Sequence, residues 1–393
     1  MHFLELEAEE FRKYAAGHPD KSFYQTPEIA KLREKNGWTT YYFGVKEQGN
    51  LKAASLIFAK PAFLGKSIFY APGGPLLDFE DEKLTNCFIK NLKKFLKSHN
   101  GYVLHIEPYY ELIERDRDGN PTENGFNREK AIMNLRNNGF KPLKTSDEPK
   151  YSFALDLGDY GADEIFSDMK RNTRGHIRKA EKMGVKIREL NREELSIFKK
   201  ITESTSTRRN FQDKPLSYYE DMYDLFYPRG EVKFLLAEAE PLPENENELN
   251  SDASAENENQ SKSDSDTKQP LLPLSAAMFM LYGDEVIYLF SGSDEQYMKD
   301  YNAQYLIQWH MIKYAIEHKF KRYNFYGING LPNKADKDYG IYDFKKGFTS
   351  DKTGRVIELI GAFELPISPL FYSLHALLHK IKNWYCATIN LWI

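Results

Sequence analysis

Two stretches of this chain repeat one order of elements at matching spacing. The first reads strand (TTYYFGVK), short turn, strand (LKAASLIFAK), strand (SIFYA), a Gly-containing break (PGG), a helix over 81–98 and strand (YVLHIE). The second reads strand (EVKFLLAEA), a long acidic insertion, strand (LSAAMFML), strand (EVIYLFS), break (GSD), a helix over 301–318 and strand (RYNFYG). From the break onward the copies stay in register without gaps, so that Ala71 answers to Ser291, Asp81 to Tyr301 and Ile106 to Tyr326. Ungapped spacing through break, helix and strand indicates a tandem duplication of one supersecondary unit.

A meander of antiparallel strands followed by a helix that crosses over to one more strand is the order of the acyltransferase fold that binds acyl-CoA. The expected fold class is therefore α+β, a tandem pair of acyltransferase-like domains. Acetyl-CoA enzymes of that fold cradle pyrophosphate on a [RQ]xxGx[GA] turn, where free backbone N–H groups at a helix start meet the phosphates. No Gly-x-Gly occurs in these 393 residues, and neither break has the basic start. The GKS at 65–67 is not a Walker motif, because Lys60 stands where its first Gly is required. Acetyl-CoA and ATP chemistry are both disfavoured, and no cofactor is expected.

Apolar residues make up 41% and charged residues 28%, enough for a sizeable core and unlike a collagen-like, wholly disordered or disulfide-built chain. Cys87 and Cys386 form no CxxC pair, which points to a reducing compartment. MHFLELEAEEFRK lacks the basic start and apolar run of a signal peptide, and no apolar stretch approaches the roughly 20 residues of a membrane span. A cytoplasmic protein is expected. The net charge of −4 is unevenly spread: residues 238–268 carry ten Asp/Glu against two Lys, whereas 170–188 carry eight Lys/Arg against one Glu. The segment 240–268, rich in Asn, Glu, Ser and Asp, has almost nothing to bury and reads as a disordered loop between adjacent strands.

The basic block is the first candidate site. Lys170, Arg174, Arg178, Lys182 and Lys186 recur every four residues and form one stripe on a helix, with Ile165, Phe166, Met169, Ile177 and Ala180 on the buried side. A solvated helix face is the alternative, but one acid in nineteen residues leaves self-repulsion uncompensated, and a phosphate backbone would relieve it. A zinc site is not expected, since His375 and His379 at i, i+4 lack HExxH and a third ligand. No GxSxG elbow supports a Ser-His-Asp hydrolase. In IYDFKKGF (341–348), Lys345 beside Phe344 at a strand's start could hold an oxyanion, against an ordinary edge-strand lysine. In HIEPYYE (105–111), Glu107 at a strand end could act as a base or anchor an ammonium group, against a surface carboxylate.

Seven stretches in order, QTPEIAKLREKNGW, YAPGGPLLD, HIEPYYE, MKRNTRGHIRKAEKMGVKI, TRRNFQDKPLSYYEDMY, IYLFSGS and YDFKKGF, resemble the Fem family over nearly the whole chain. These are aminoacyl-tRNA-dependent transferases that build peptidoglycan interpeptide bridges. The resemblance implies two acyltransferase-like domains, 1–150 plus 357–393 and 151–356, the second inserted so that the C-terminal segment returns to the first. It implies transfer of an amino acid from the 3′ ester of a charged tRNA to the side-chain amine of residue three of the stem peptide. The acceptor is a nucleotide- or lipid-linked muramyl peptide, and the chain is expected to act as a monomer. An ester already activated would explain the missing ATP motif.

By the same resemblance, Arg33, Tyr102, Lys214 and Tyr218 would hold the acceptor's phosphates and sugar. Phe344 and Lys345 match the pair implicated in transfer, and Tyr288 lines the same cleft. Lys170, Arg174, Arg178 and Lys182 would meet the tRNA. Lys214 stands where Arg is more usual, Glu107 where Asp is common, and Phe290 where a second Tyr is common. No heptad marks the long coiled-coil arm that several members carry. An acyltransferase with another activated donor, such as acyl-CoA, and a non-catalytic RNA- or envelope-associated binding protein are the other readings. Finally, Ile367, Leu370, Phe371, Leu374, Leu377, Leu378, Ile381, Trp384 and Tyr385 form one apolar helix face, which either completes the first domain's core or rests on the inner face of the membrane.

Overall fold

The computed structural model describes residues 1–374, apart from Thr145, Asp147, Asn210, Phe211 and 243–269, together with Leu377. The acidic stretch 240–268 and the C-terminal apolar face beyond Leu374 therefore lie almost wholly outside the described residues. In chain order the strands are β1 (His2–Glu5), β2 (Thr39–Glu47), β3 (Asn50–Pro61), β4 (Ser67–Gly73), β5 (Gly101–Pro108), β6 (Glu111–Glu114), β7 (Lys141–Pro142), β8 (Tyr151–Asp156), β9 (Lys186–Glu189), β10 (Val232–Ala239), β11 (Leu272–Tyr282), β12 (Glu285–Ser293), β13 (Arg322–Gly327), β14 (Gly354–Leu359) and β15 (Phe363–Pro366). They form two sheets, ordered β1-β2-β3-β4-β5-β15-β7 and β6-β14-β8-β13-β12-β11-β10-β9.

Each sheet contains the same core: an antiparallel meander, β2-β3-β4 or β10-β11-β12, and a helix crossing over to a parallel partner. The crossover helices are Glu82–Ser98 and Ala303–Glu317. The duplication expected from spacing is therefore present element by element. The second copy differs in starting its helix only at Ala303, because Asn302 adopts a left-handed conformation at φ 52 and separates off the turn Met298–Tyr301. Sheet membership departs from chain order at two places. β6 pairs with β14 in the second sheet, and β15 returns to pair with β5 in the first.

The long apolar runs of the meanders reflect burial of both strand faces. Along β3, Ala54, Leu56 and Phe58 face a core shared between the sheets, whereas Ala53, Ile57 and Ala59 face the helix Glu82–Ser98. Along β11, Ala276, Met278 and Met280 face the shared core, and Ala277, Phe279 and Leu281 face the helices Arg171–Lys182 and Ala303–Glu317. The two copies are thus joined back to back through one apolar layer, which also takes in Phe198 and Tyr219.

One glycine sets how closely a helix approaches β12. A Cβ on Gly292 would stand 2.4 Å from the backbone oxygen of Ile201 in the helix Leu195–Arg209. Backbone cannot swing aside as a side chain can. Gly292→Ala is expected to cost about 1–3 kcal/mol, read as a lower urea midpoint. An unchanged midpoint would mean that the helix shifts freely.

Candidate active site

The two copies differ where their parallel strands meet. In the first, β4 and β5 stay paired from Ser67 with Gly101 to Gly73 with Pro108. In the second, β12 and β13 pair only at Glu285–Ile287 with Arg322–Asn324. Beyond that point the strands part. Tyr326 takes a left-handed conformation (φ 64), and its N–H donates to Asn324 Oδ1 at 2.8 Å instead of to the ladder. Such conformations are unfavourable for a non-glycine residue and persist only where surroundings hold them. The parted strands open a wedge of about 600 Å³ lined by Tyr288, Phe290, Tyr305, Tyr326, Phe344 and Lys345.

Lys345 is not at a strand's start. IYDFKKGF lies in the helix Tyr339–Lys346, with Tyr342 and Lys345 three residues apart on its buried side, and it ends before Gly347. This corrects the strand reading: an apolar stripe at helical spacing outweighs the local aromatic content. Lys345 Nζ donates to the backbone oxygens of Tyr326 (3.0 Å) and Gly327 (2.6 Å), the carbonyls freed where β13 leaves the ladder. An ammonium has three donors, so one remains. Burial disfavours its charge and lowers its pKa to about 7. Phe344 packs edge-on against Tyr305 at 5.0 Å. Tyr288 stacks on Phe279, donates to Ser291 Oγ at 2.6 Å, and is made less acidic by burial.

A second cavity, about 520 Å³, lies between the two sheets and shares Tyr326 with the wedge. Its wall includes Tyr24, Glu107, Glu148 and Arg322. Glu107 is buried and accepts from Tyr70 Oη at 2.8 Å. Arg33 lies over the rings of Tyr70, Trp38 and Phe58 at 5.7, 5.7 and 5.8 Å. Lys214 lies over Tyr218 at 5.5 Å, and Tyr218 meets Phe290 edge-on at 6.0 Å. Burial, with Glu148 nearby, pushes Tyr218 up to about 12, and Arg33 opposes that shift. Glu107 therefore lines the second cavity, Tyr288, Phe344 and Lys345 line the wedge, and Tyr326 lines both; Arg33, Lys214 and Tyr218 line neither, though Arg33 and Glu107 share Tyr70, and Tyr218 meets Phe290 of the wedge.

The basic helix forms over Arg171–Lys182, while Lys186 belongs to β9, so the stripe is shorter than expected. Lys170, its N-cap, pairs with Asp343 beside Phe344 at 2.6 Å. Arg174 donates to the Ser167 backbone oxygen, and Arg178 lies over Phe166. Arg178 and Lys182 are exposed. His176 stacks on Tyr305 at 4.5 Å, which sets this helix along the rim of the wedge. Tyr102 lies elsewhere: buried in β5, it packs on Phe63 at 5.5 Å and lines neither cavity.

Several residues of this centre carry no sequence signal. Tyr326 donates to Glu148, and Tyr24 Oη lies 3.5 Å from Tyr326 Oη. Arg322 binds Glu111 (2.7 Å), Glu285 (2.9 Å) and Asp156 (3.0 Å), and Arg355 also pairs with Glu111. Burial works against the Glu111 carboxylate, but Arg322 and Arg355 outweigh it and hold its pKa below the ordinary value. The one hint lay in the echo itself, which sets a phenol, Tyr326, opposite the core aliphatic Ile106.

A model of the FemAB family matches residues 6–270 and 242–380. Aminoacyltransferase FemA of Staphylococcus aureus strain bovine RF122 / ET3-1 is 30% identical over 424 residues, covering 98% of this chain and 99% of that protein. FemA of strain N315 matches over the same extent. The crystal structure of FemX superposes with a TM-score of 0.75 at 21% identity, covering 95% of this chain and 99% of that one. A tandem GNAT protein from the clavulanic acid biosynthesis pathway gives 0.51 at 9% identity, covering 94% and 99%. These likenesses bear out the tandem acyltransferase-like fold, and the sequence match runs through both copies and the strand that returns to the first sheet. The chain belongs to the FemAB family.

Proposed function

We propose that this chain transfers an amino acid from aminoacyl-tRNA to the side-chain amine of the stem peptide of a peptidoglycan precursor, building the interpeptide bridge. The observation that carries this reading is the open wedge beside β12, with a buried lysine at its floor, a basic helix along its rim and a second cavity sharing Tyr326. In the reaction the amine attacks the ester carbonyl, the C–N bond forms, and the ester C–O bond breaks, the ribose oxygen taking up a proton to leave as the 3′-hydroxyl of the tRNA. The amine's proton must leave, and Glu107 in the second cavity is the candidate acceptor. Lys345 Nζ has one N–H left for the oxyanion. Phe344 and Tyr288 flank the aminoacyl group, and Lys170, Arg174, Arg178 and Lys182 follow the tRNA backbone.

Arg33 and Lys214 hold the acceptor's phosphates, with Tyr218 on its sugar; Tyr102, buried away from both cavities, does not share that role. A lysine in place of a guanidinium fork gives a point charge without bidentate geometry. Arg33→Ala or Lys214→Ala is expected to raise the acceptor's KM roughly 10-fold or more, from about 1.5–3 kcal/mol per charge-assisted bond, with kcat nearly kept. An unchanged KM in both would place the phosphates elsewhere. The two units are taken as 1–150 plus 357–393 and 151–356, with β6 and the end of β14, residues 357–359, lent to the second sheet. The protein acts as a cytoplasmic monomer on a nucleotide- or lipid-linked acceptor, with a peripheral membrane contact in the lipid-linked case.

Incubation with charged tRNA and a muramyl pentapeptide tests the proposal. Product that fails to form when the tRNA is first digested with RNase supports it. Product made equally well from acyl-CoA would point to a different donor.

A further inference from the structure

The wedge carries positive charge of its own. None of Lys170, Arg174, Arg178 and Lys182 lines it, whereas Arg208, Arg209 and Lys345 do. Among the described residues the lining holds one carboxylate, Asp213. That acid is already satisfied. It accepts from Lys199 Nζ at 2.7 Å, Thr202 Oγ1 at 2.8 Å and Tyr219 Oη at 2.6 Å, with only 6% of its side chain exposed. The positive charge on the lining therefore goes unbalanced from within.

Arg208 and Arg209 are the last two residues of the helix Leu195–Arg209, the one that Gly292 admits against β12. Arg208 Nη1 comes no nearer than 3.8 Å to Glu295, a carboxylate 73% exposed, and so loose a surface pair is easily given up. Arg209 is exposed, and among the described residues it enters no ion pair. Its charge is felt inside the wedge: burial makes Tyr288 less acidic, and Arg209 opposes that shift. A helix C-terminus favours cations, but that does not account for two guanidiniums on the lining of a cavity. The aminoacyl group offers them nothing, because its carbonyl is neutral and its α-amine is basic. The nearest anion on a charged tRNA is the phosphodiester across the terminal ribose, one sugar away from the ester. Guanidinium forks suit such a phosphate.

We propose that Arg208 and Arg209 bind the phosphodiester between the terminal adenosine of the tRNA and the nucleotide before it, a contact that rests on the transfer reaction proposed above. It seats the 3′ ester against Lys345. The basic helix, outside the wedge, then meets phosphates farther along the tRNA.

Three donors carrying the same amino acid test this on the full chain, with a muramyl pentapeptide as acceptor. They are charged tRNA, a charged CCA trinucleotide and 3′-aminoacyl adenosine, which has no phosphate. Wild type should prefer the trinucleotide to the adenosine ester in kcat/KM. In Arg209→Gln that preference should fall roughly 10-fold or more, the scale of one charge-assisted bond, and it should fall further when Arg208→Gln is added. The loss should appear in the KM for trinucleotide and for tRNA, with the KM for acceptor unmoved. Arg209→Lys keeps the charge without the fork and should recover part of the preference; it gives the same readout should the glutamine variant melt early. An equal preference in wild type and the double variant overturns the inference. So does a loss confined to the KM for acceptor, which would put the acceptor's phosphates here. Inhibition by coenzyme A that vanishes in the double variant would assign the pair to a pyrophosphate and overturns it as well. A wild type that uses none of the three donors overturns the transfer reaction itself, and this contact with it.

Discussion

Arg322→Met should destabilise the protein by about 3–5 kcal/mol, the largest stability effect expected of any single exchange here. The guanidinium stands among Glu111, Glu285 and Asp156 with only 19% of its side chain exposed. Methionine would fill the space but leave Glu111 and Glu285 partly buried without that partner. The loss should depend on pH. The folded Glu111 pKa is held below the ordinary carboxylate value, so its contribution is present above that value and disappears as pH falls through the folded one. The variant should therefore lose little at strongly acidic pH and most near neutrality. Urea titrations at several pH values would read this directly. A loss under 1 kcal/mol at pH 7 would mean that Arg355 and solvent suffice to satisfy the acids.

The second large effect concerns Lys345. Lys345→Met keeps the aliphatic stem but removes the donor, and kcat should fall about 10²–10³-fold, the scale of one lost oxyanion contact. The KM for acceptor should hardly move. If turnover survives while acceptor binding is lost, Lys345 is a binding residue. The pH behaviour gives an independent readout. With a folded pKa of about 7 and an unfolded value of about 10.4, the unfolded chain retains a proton that the folded chain has shed across that interval. Stability should therefore rise with pH over that window, and Lys345→Met should abolish the rise. If the ammonium form stabilises the oxyanion, transfer should decline as pH climbs past about 7.

What could be read from residues alone followed from locality. The strands of both meanders were readable because AASLIFA and SAAMFML are too apolar for anything but burial on both faces, and the ungapped break–helix–strand spacing carried the duplication. Arg33, Lys214 and Tyr218 came only through resemblance, since nothing in KLREKNGW or DKPLSYY announces that the fold will bring them near one another. IYDFKKGF misled because four aromatic or β-branched side chains in eight residues favour a strand locally, whereas the packing of Tyr342 and Lys345 makes it helical. The Tyr24–Glu148–Tyr326 cluster, hinted at only by Tyr326's place in the echo, was hidden for another reason. Its members come from three distant segments, and Tyr326 owes its place to a left-handed backbone that no sequence pattern marks.

The zipped pair β4–β5 and the parted pair β12–β13 set a stoichiometry. Duplication supplied two places where parallel strands could part, and in one of them pairing in unbroken register from Ile68 with Val103 to Gly73 with Pro108 fills the gap. With the wedge as the proposed donor site, one polypeptide is expected to hold one donor at a time. A hydrolysis-resistant donor analogue should titrate to a single equivalent per chain. Growth of a bridge by more than one residue must then proceed by discharge and reloading of the same slot, with spent tRNA leaving before the next arrives, and not by handing the product from one half of the molecule to the other.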